Sequence, residues 1–309
     1  MPCALLATIF PTLRTAGSTL RMRPALNKDQ FSAQYPTFMK GALVVAWLYG
    51  IFTVLYKIWV SISTGWLGWD AHAYWLAARG DMDYSRSGGE VDAYLYSPAF
   101  ATVIHPMAML GWPLFYALWV MLQSSALVWL LKPLKLRWSA PLFLASVPEL
   151  INGNIFILLA MCAVLGLTKP AIYSFALLTK ITPGVGLLWF AGHRNWRSLA
   201  EAAIATLVVT TCSYLLSPKE WDAWLQFLLN HHDGSPDGLA GLVVRFLLAA
   251  ALVLYGAKKD MAWLIAPAMV VASPIFDFPV LTLLTAIPRL SLGSQSRTDK
   301  NLGVKVPVT

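Results

Sequence analysis

Long apolar segments separated by short polar ones dominate the chain from residue 42 to residue 290. The first covers residues 42–61, and a helix of that length, at about 1.5 Å per residue, crosses the roughly 30 Å of hydrocarbon in a bilayer. The segments lack the alternation of apolar and polar residues that a membrane β-barrel requires. Because backbone groups in hydrocarbon must bond within their own segment, the pattern predicts an all-α polytopic membrane protein.

Further apolar segments lead to two alternative span counts. They cover residues 96–110, 113–131, 138–151, 155–168, 170–190, 199–216, 239–256, 261–273 and 278–290. Counting every segment as a crossing places Lys132, Lys135 and Arg137 outside, against the tendency of basic loops to stay in the cytoplasm. If 96–110 only dips into the membrane and 138–168 is one broken helix, this basic cluster lies inside. We therefore expect a bundle of about 8–10 transmembrane helices.

Charge distribution predicts the orientation of the bundle. Only 12% of the residues are charged, and the formal net charge is +8. Basic residues concentrate before residue 40, at 193–197, at 258–259 and after residue 289. The positive-inside rule then predicts a cytoplasmic basic arm (1–40), a single transmembrane domain (41–290) and a cytoplasmic tail (291–309) in the cell (inner) membrane. Topology accounts for the basic clusters, so we expect no nucleic-acid partner.

Two polar segments are predicted to lie outside as loops. Residues 64–94 contain five of the fifteen acidic residues, and residues 217–238 contain His231, His232 and Asp233. No third ligand is placed near these histidines by spacing, so we expect no metal site there. The three cysteines form no disulfide or metal pattern.

Asp70 is the polar residue that most suggests chemistry. It lies just beyond the first span, within the aromatic sequence Gly-Trp-Asp-Ala-His-Ala-Tyr-Trp of residues 68–75. A carboxylate beside the low-dielectric boundary stays basic enough to accept a proton from a hydroxyl group. The alternative is an ordinary solvated loop acid.

Three further charged residues are candidates for ligand binding. Lys180 interrupts the 170–190 apolar segment, and a lysine near the bilayer centre costs roughly 2.5–3.5 kcal/mol on insertion scales. It is a candidate for binding an anion, or else it snorkels or pairs within the bundle. Arg245 is a second phosphate candidate, with snorkelling to the interface as its alternative. Asp277, between Pro274 and Pro279, is expected to face the same cavity as Asp70 or to cap a helix.

The order of motifs along most of the chain resembles glycosyltransferase family 87. In chain order they are Asp70-x-x-x-Tyr74, Tyr96-Ser97-Pro98 with His105-Pro106, Asn152-Gly153-Asn154, Lys180-Ile181-Thr182-Pro183, the basic residues 193–197, and Ala272-Ser273-Pro274. Ser97 stands where the family usually has the first of two prolines.

The resemblance implies a GT-C-like bundle with a catalytic first outer loop. It implies transfer of a sugar, mannose in the best-known relatives, from a polyprenyl-phosphate donor to a lipid or glycan acceptor on the non-cytoplasmic face. Asp70 is then the general base of an inverting reaction and Lys180 the partner of the donor phosphate. The other expected donor- or acceptor-binding residues are Tyr74, His72, Tyr96, Arg245 and Asp277. No cofactor is expected, because the lipid-linked donor is itself the substrate.

Two other functions remain compatible with the sequence. A secondary transporter or lipid-linked sugar flippase would place polar residues on discontinuous helices within repeated halves, but no internal repeat is evident. A non-catalytic scaffold descended from such enzymes is the third alternative.

Overall fold

The computed structural model describes residues 36–230, 238–274 and 278–292. All regular structure in these ranges is helical, which confirms the predicted fold class. By its internal contacts the chain separates into Met1–Val44 and Val45–Thr309. Of the first unit only the beginning of one helix is described, so the following account concerns the second unit.

Four helices are long and apolar enough to cross a membrane. They are α1 (Pro36–Thr64), α4 (Trp112–Leu131), α10 (Trp196–Leu216) and α12 (Gly238–Lys258). The shorter α-helices are α2 (Trp69–Ala78), α3 (Pro98–Ala108), α5 (Leu136–Ala145), α6 (Val147–Asn152), α7 (Phe156–Leu165), α8 (Tyr173–Thr179), α9 (Leu188–Gly192), α11 (Pro218–Asn230) and α13 (Ile265–Ala272). The described ranges also contain four 3-10 helices, Pro170–Ile172, Thr182–Leu187, Ala262–Leu264 and Pro279–Ala286, and a helical turn over residues 287–292.

Helix α3 is too short to cross the hydrocarbon by itself. It has 11 residues, which at about 1.5 Å per residue is half the thickness of the hydrocarbon. It packs against α2, because the Tyr74 and Phe100 rings are 5.1 Å apart and the Arg79 side chain donates to the Ala108 carbonyl. Helix α4 then begins beside the start of α2. A helix of this length is compatible with the second alternative, in which this segment only dips into the membrane, and the span count stays a prediction.

The helical structure of the segment 138–168 is interrupted at two points. It consists of α5, α6 and α7, and the larger break between α6 and α7 falls at Asn152-Gly153-Asn154. Gly153 has a φ of +77°, and a Cβ atom there would lie 2.5 Å from the Cβ of Ala71 in α2. The amide of Gly68 also donates to the Ile151 carbonyl. The break is therefore packed directly against the first turn of α2.

Both segments predicted as polar outer loops contain helices, which corrects that part of the prediction. Residues 64–94 include α2, and residues 217–238 include α11. In α11 the side chains of Trp221 and Trp224 are buried. The two residues are three positions apart and therefore lie on the same face of the helix. His231, His232, Asp233 and Asp277 lie outside the described residues.

The close approach at Gly153 generates a prediction about stability. Replacing Gly153 with Ala should lower the free energy of unfolding by about 1–3 kcal/mol, because a Cβ is strained at positive φ and collides with Ala71. Gly111→Ala is the matched control, since Gly111 has a φ of −59° and no atom within 4 Å of its Cβ position. Thermal unfolding of the purified variants measures the difference. Equal melting temperatures for the two variants would contradict the packing described.

Candidate functional site

The first turn of α2 carries Asp70 and is fixed from two sides. Gly68 precedes the helix with a φ of +72°, and a Cβ there would lie 2.8 Å from the rings of Trp112 and Tyr116 in α4. The Tyr116 hydroxyl donates to the Ile151 carbonyl at 2.7 Å, which ties α4 to the end of α6. The backbone around Asp70 is therefore held by tight packing and hydrogen bonds.

Asn154 binds the Asp70 carboxylate across the α6–α7 break. Its Nδ2 donates to Oδ2 of Asp70 at 3.2 Å, and its Oδ1 accepts from the Ile155 amide at 2.7 Å. The second bond determines which end of the side-chain amide faces Asp70, because only the oxygen can accept from a backbone N–H. Asn154 therefore presents a donor to Asp70 and restrains the carboxylate.

Lys180 lies at the end of α8, where the backbone leaves the helical conformation. Its Nζ is 3.9 Å from the centroid of the Phe156 ring and 5.6 Å from that of Tyr96. The ammonium also lies within electrostatic range of Asp70 and Glu149, and the side chain is partly exposed. Two aromatic faces thus hold a cation beside two carboxylates.

Lys57 is a second cation near Asp70, and it was not among the predicted site residues. It lies about two turns before the end of α1. Its Nζ donates to Oδ1 of Asn152 at 2.5 Å, and it interacts electrostatically with Asp70. The sequence did carry a signal, because Lys57 is the only charged residue in the 42–61 apolar segment. A lysine within an apolar span is costly to place in the membrane, so Lys57 is a candidate for ligand binding on the same ground as Lys180.

Glu149 adds a second carboxylate, which was not among the predicted site residues. It is 2% exposed, and its Oε1 accepts from the Phe156 amide at 3.3 Å across the break. It interacts electrostatically with Lys180. We refer to Lys57, Asp70, Glu149, Asn152, Asn154 and Lys180 together as the Asp70 cluster. In the described ranges, no three His, Cys, Asp or Glu side chains are placed to hold a metal ion.

Two predicted tyrosines pack behind the Asp70 cluster. The Tyr74 hydroxyl donates to the Tyr96 hydroxyl at 3.0 Å, and the Tyr74 ring packs edge-to-face against Phe100 and Trp119. Burial raises the pKa of both phenols, so both hydroxyls stay protonated. Tyr96 also contacts Lys180 through its ring. Because Tyr74 is only 1% exposed, it supports the site from the interior.

Ser97 connects the start of α3 to the end of α8. Its hydroxyl donates to the Leu178 carbonyl at 2.5 Å, two residues before Lys180. This hydroxyl occupies the position where the family usually has proline, and it satisfies a carbonyl at a helix end that has no partner within the helix. The departure from the family pattern therefore helps to position Lys180.

The remaining predicted site residues are not part of the Asp70 cluster. His72 is two residues after Asp70, which is about 200° around the helix, and its Nδ1 lies 2.5 Å from Oδ1 of Asp92. Its ring packs on Trp112 at 4.7 Å. Arg245, on α12, donates to the Ser273 carbonyl at 3.2 Å. Asp277 lies outside the described residues.

Comparisons with known proteins identify the family. The model of glycosyltransferase family 87 matches residues 94–296, more than half of the chain. Tyr96, Asn154, Lys180 and Arg245 lie within the match, whereas Asp70 precedes it. No curated protein and no solved structure matches the sequence. With four apolar helices long enough to cross a membrane and a family match of this extent, the chain belongs to glycosyltransferase family 87, a family of membrane glycosyltransferases.

Proposed function

We propose that this protein transfers a sugar from a polyprenyl-phosphate donor to a lipid or glycan acceptor on the non-cytoplasmic face, with Asp70 as general base. The observation that carries the proposal is the position of the Asp70 carboxylate. It follows the first long apolar helix and lies within electrostatic range of Lys57 and Lys180. Two cations favour the ionised carboxylate, which is the form that accepts a proton.

The proposed reaction is a single displacement. The acceptor hydroxyl loses its proton to Asp70 as its oxygen attacks the anomeric carbon of the donor sugar. The bond from that carbon to the phosphate oxygen breaks, and the polyprenyl phosphate leaves with the bonding electrons. The configuration at the anomeric carbon is therefore inverted. Mannose is the proposed sugar because the resemblance described above favours it.

Lys180 is the proposed partner of the departing phosphate. Its partly exposed ammonium is fixed over the Phe156 ring and needs no reorganisation as negative charge develops on the leaving group. Lys57 binds Asn152, and Asn154 at the same helix break binds Asp70. Lys57 therefore has a positioning role in this proposal. Three of the four charged side chains of the Asp70 cluster, Asp70, Lys180 and Lys57, thereby have a proposed role in the reaction or in its geometry.

A lipid-linked sugar flippase or secondary transporter is the second candidate function. The observation that favours it is the pair of helix breaks at Asn152-Gly153-Asn154 and Lys180, because transporters bind substrates at discontinuous helices. Proteoliposomes that move a labelled lipid-linked sugar across the bilayer without transferring it would support this function over the first.

Asp70→Asn tests the proposed base. The amide cannot accept the acceptor proton at neutral pH, so sugar transfer should fall by about 10²–10⁴-fold. The assay incubates membranes containing the protein with labelled polyprenyl-phosphate mannose and quantifies the labelled product. Asp81→Asn is the matched control, because Asp81 is an exposed carboxylate in the same segment and should leave transfer unchanged. Wild-type turnover by Asp70→Asn in folded protein would refute the proposed role.

Lys180→Met tests the proposed phosphate partner. Methionine keeps much of the apolar stem and removes the charge, so transfer should fall by about 10²-fold as the leaving phosphate loses its cation. Lys169→Met, at an exposed lysine ahead of the same segment, should retain the wild-type rate. The same transfer assay measures both variants. Equal loss in the two variants would show that charge at Lys180 has no specific role.

A further inference from the structure

An open groove of about 640 Å³ lies at the C-terminal end of α4. Apolar side chains from α1, α4 and α5 form most of its lining, among them Trp47, Val128, Leu131, Phe143 and Leu144. Its volume is in the range of ordinary small-molecule sites. Lys132 lies at the groove, directly after the last residue of α4.

The groove and Asp70 lie at opposite ends of α4, and Trp119 in the middle of α4 donates to the Gly153 carbonyl beside the Asp70 cluster. Helix α4 begins at Trp112, beside His72 in α2, and continues for 20 residues to Leu131. At about 1.5 Å per residue this length is about 30 Å, the thickness of the hydrocarbon. The groove therefore lies near the opposite membrane surface from Asp70 and is separate from the proposed sugar-transfer site.

Three exposed basic residues lie in the segment at this end of the groove, Lys132 in its lining and the other two adjacent in sequence to lining residues. They are Lys132, Lys135 and Arg137, and no salt bridge involves any of them within the part of the chain that the structure describes. Lys135 is the N-cap of α5, and Arg137 lies in its first turn. Cations at a helix N-terminus are unfavourable, because the helix dipole is positive there. Stabilisation of α5 therefore does not account for these charges.

We propose that this groove binds an anionic glycerophospholipid from the leaflet at this membrane surface. An acyl chain occupies the apolar groove, and the phosphate lies against Lys132, Lys135 and Arg137. Charge complementarity favours this occupant, because basic pockets between membrane helices bind anionic headgroups and each basic residue near the surface adds to the attraction. The proposal does not depend on the sugar-transfer reaction.

Lipid retention by the full-length protein tests the proposal. Native mass spectrometry of the purified protein, with phosphatidylglycerol or phosphatidylcholine of identical acyl chains added, should show at least about tenfold stronger retention of phosphatidylglycerol. Replacing Lys132, Lys135 and Arg137 with Gln should reduce that retention to the level of phosphatidylcholine. Replacing Lys258 and Lys259 with Gln, an exposed basic pair at the C-terminal end of α12, should leave it unchanged.

A second variant keeps the proposal testable if the triple substitution prevents folding. Ala140→Phe fills the groove and keeps the basic residues, so it should weaken phosphatidylglycerol retention by about the same factor. Equal retention of the two lipids by the wild-type protein would overturn the proposal. So would full retention by a folded groove variant, or equal loss in the Lys258/Lys259 control. Displacement of phosphatidylglycerol from the groove by added polyprenyl phosphate would assign the groove to another occupant.

Discussion

The packing of the α6–α7 break against the first turn of α2 determines where the charged residues of this protein meet. Gly153 lies so close to Ala71 that a Cβ atom at residue 153 would collide with the Ala71 side chain. The Gly68 amide and the Tyr116 hydroxyl both donate to the Ile151 carbonyl, so the same short segment is fastened to α2 and to α4. Because Gly153 has no side chain, the break packs closely enough on α2 for the Asn154 amide to reach the Asp70 carboxylate.

The charged side chains of the Asp70 cluster also have to compensate one another. A charged group removed from water is costly unless it is paired and hydrogen-bonded. The Asp70 cluster contains two carboxylates and two ammonium groups, which interact electrostatically. Asn154 binds the carboxylate of Asp70, and Asn152 binds the ammonium group of Lys57. The same groups that make the cluster stable supply an ionised carboxylate and a fixed cation. Stability and the proposed chemistry therefore have the same physical basis.

The sequence predicted much of this structure where local patterns decide it. Apolar length predicted the helical membrane fold, and Asp70 and Tyr74 lie on the same side of α2 because they are four residues apart. His72, two residues from Asp70, lies on a different side and pairs with Asp92. A polar composition did not reveal that α2 and α11 are helical, since their buried faces depend on neighbours distant in the sequence.

Contacts between distant residues are the part that the sequence did not predict. Lys57 and Asn152 are 95 positions apart. The presence of a lysine in one apolar segment does not indicate which other segment it contacts. Glu149 was not predicted because its partners Phe156 and Lys180 come from the other side of the break and from the end of α8. The short length of α3 likewise was not evident from the apolar pattern of residues 96–110.

The configuration of the transferred sugar tests the central claim most directly. Nuclear magnetic resonance of the product from a polyprenyl-phosphate sugar of known anomeric configuration establishes whether the linkage is inverted. A single displacement assisted by Asp70 predicts the opposite configuration from that of the donor. A product that retains the donor configuration would require a second displacement and would contradict the proposed mechanism.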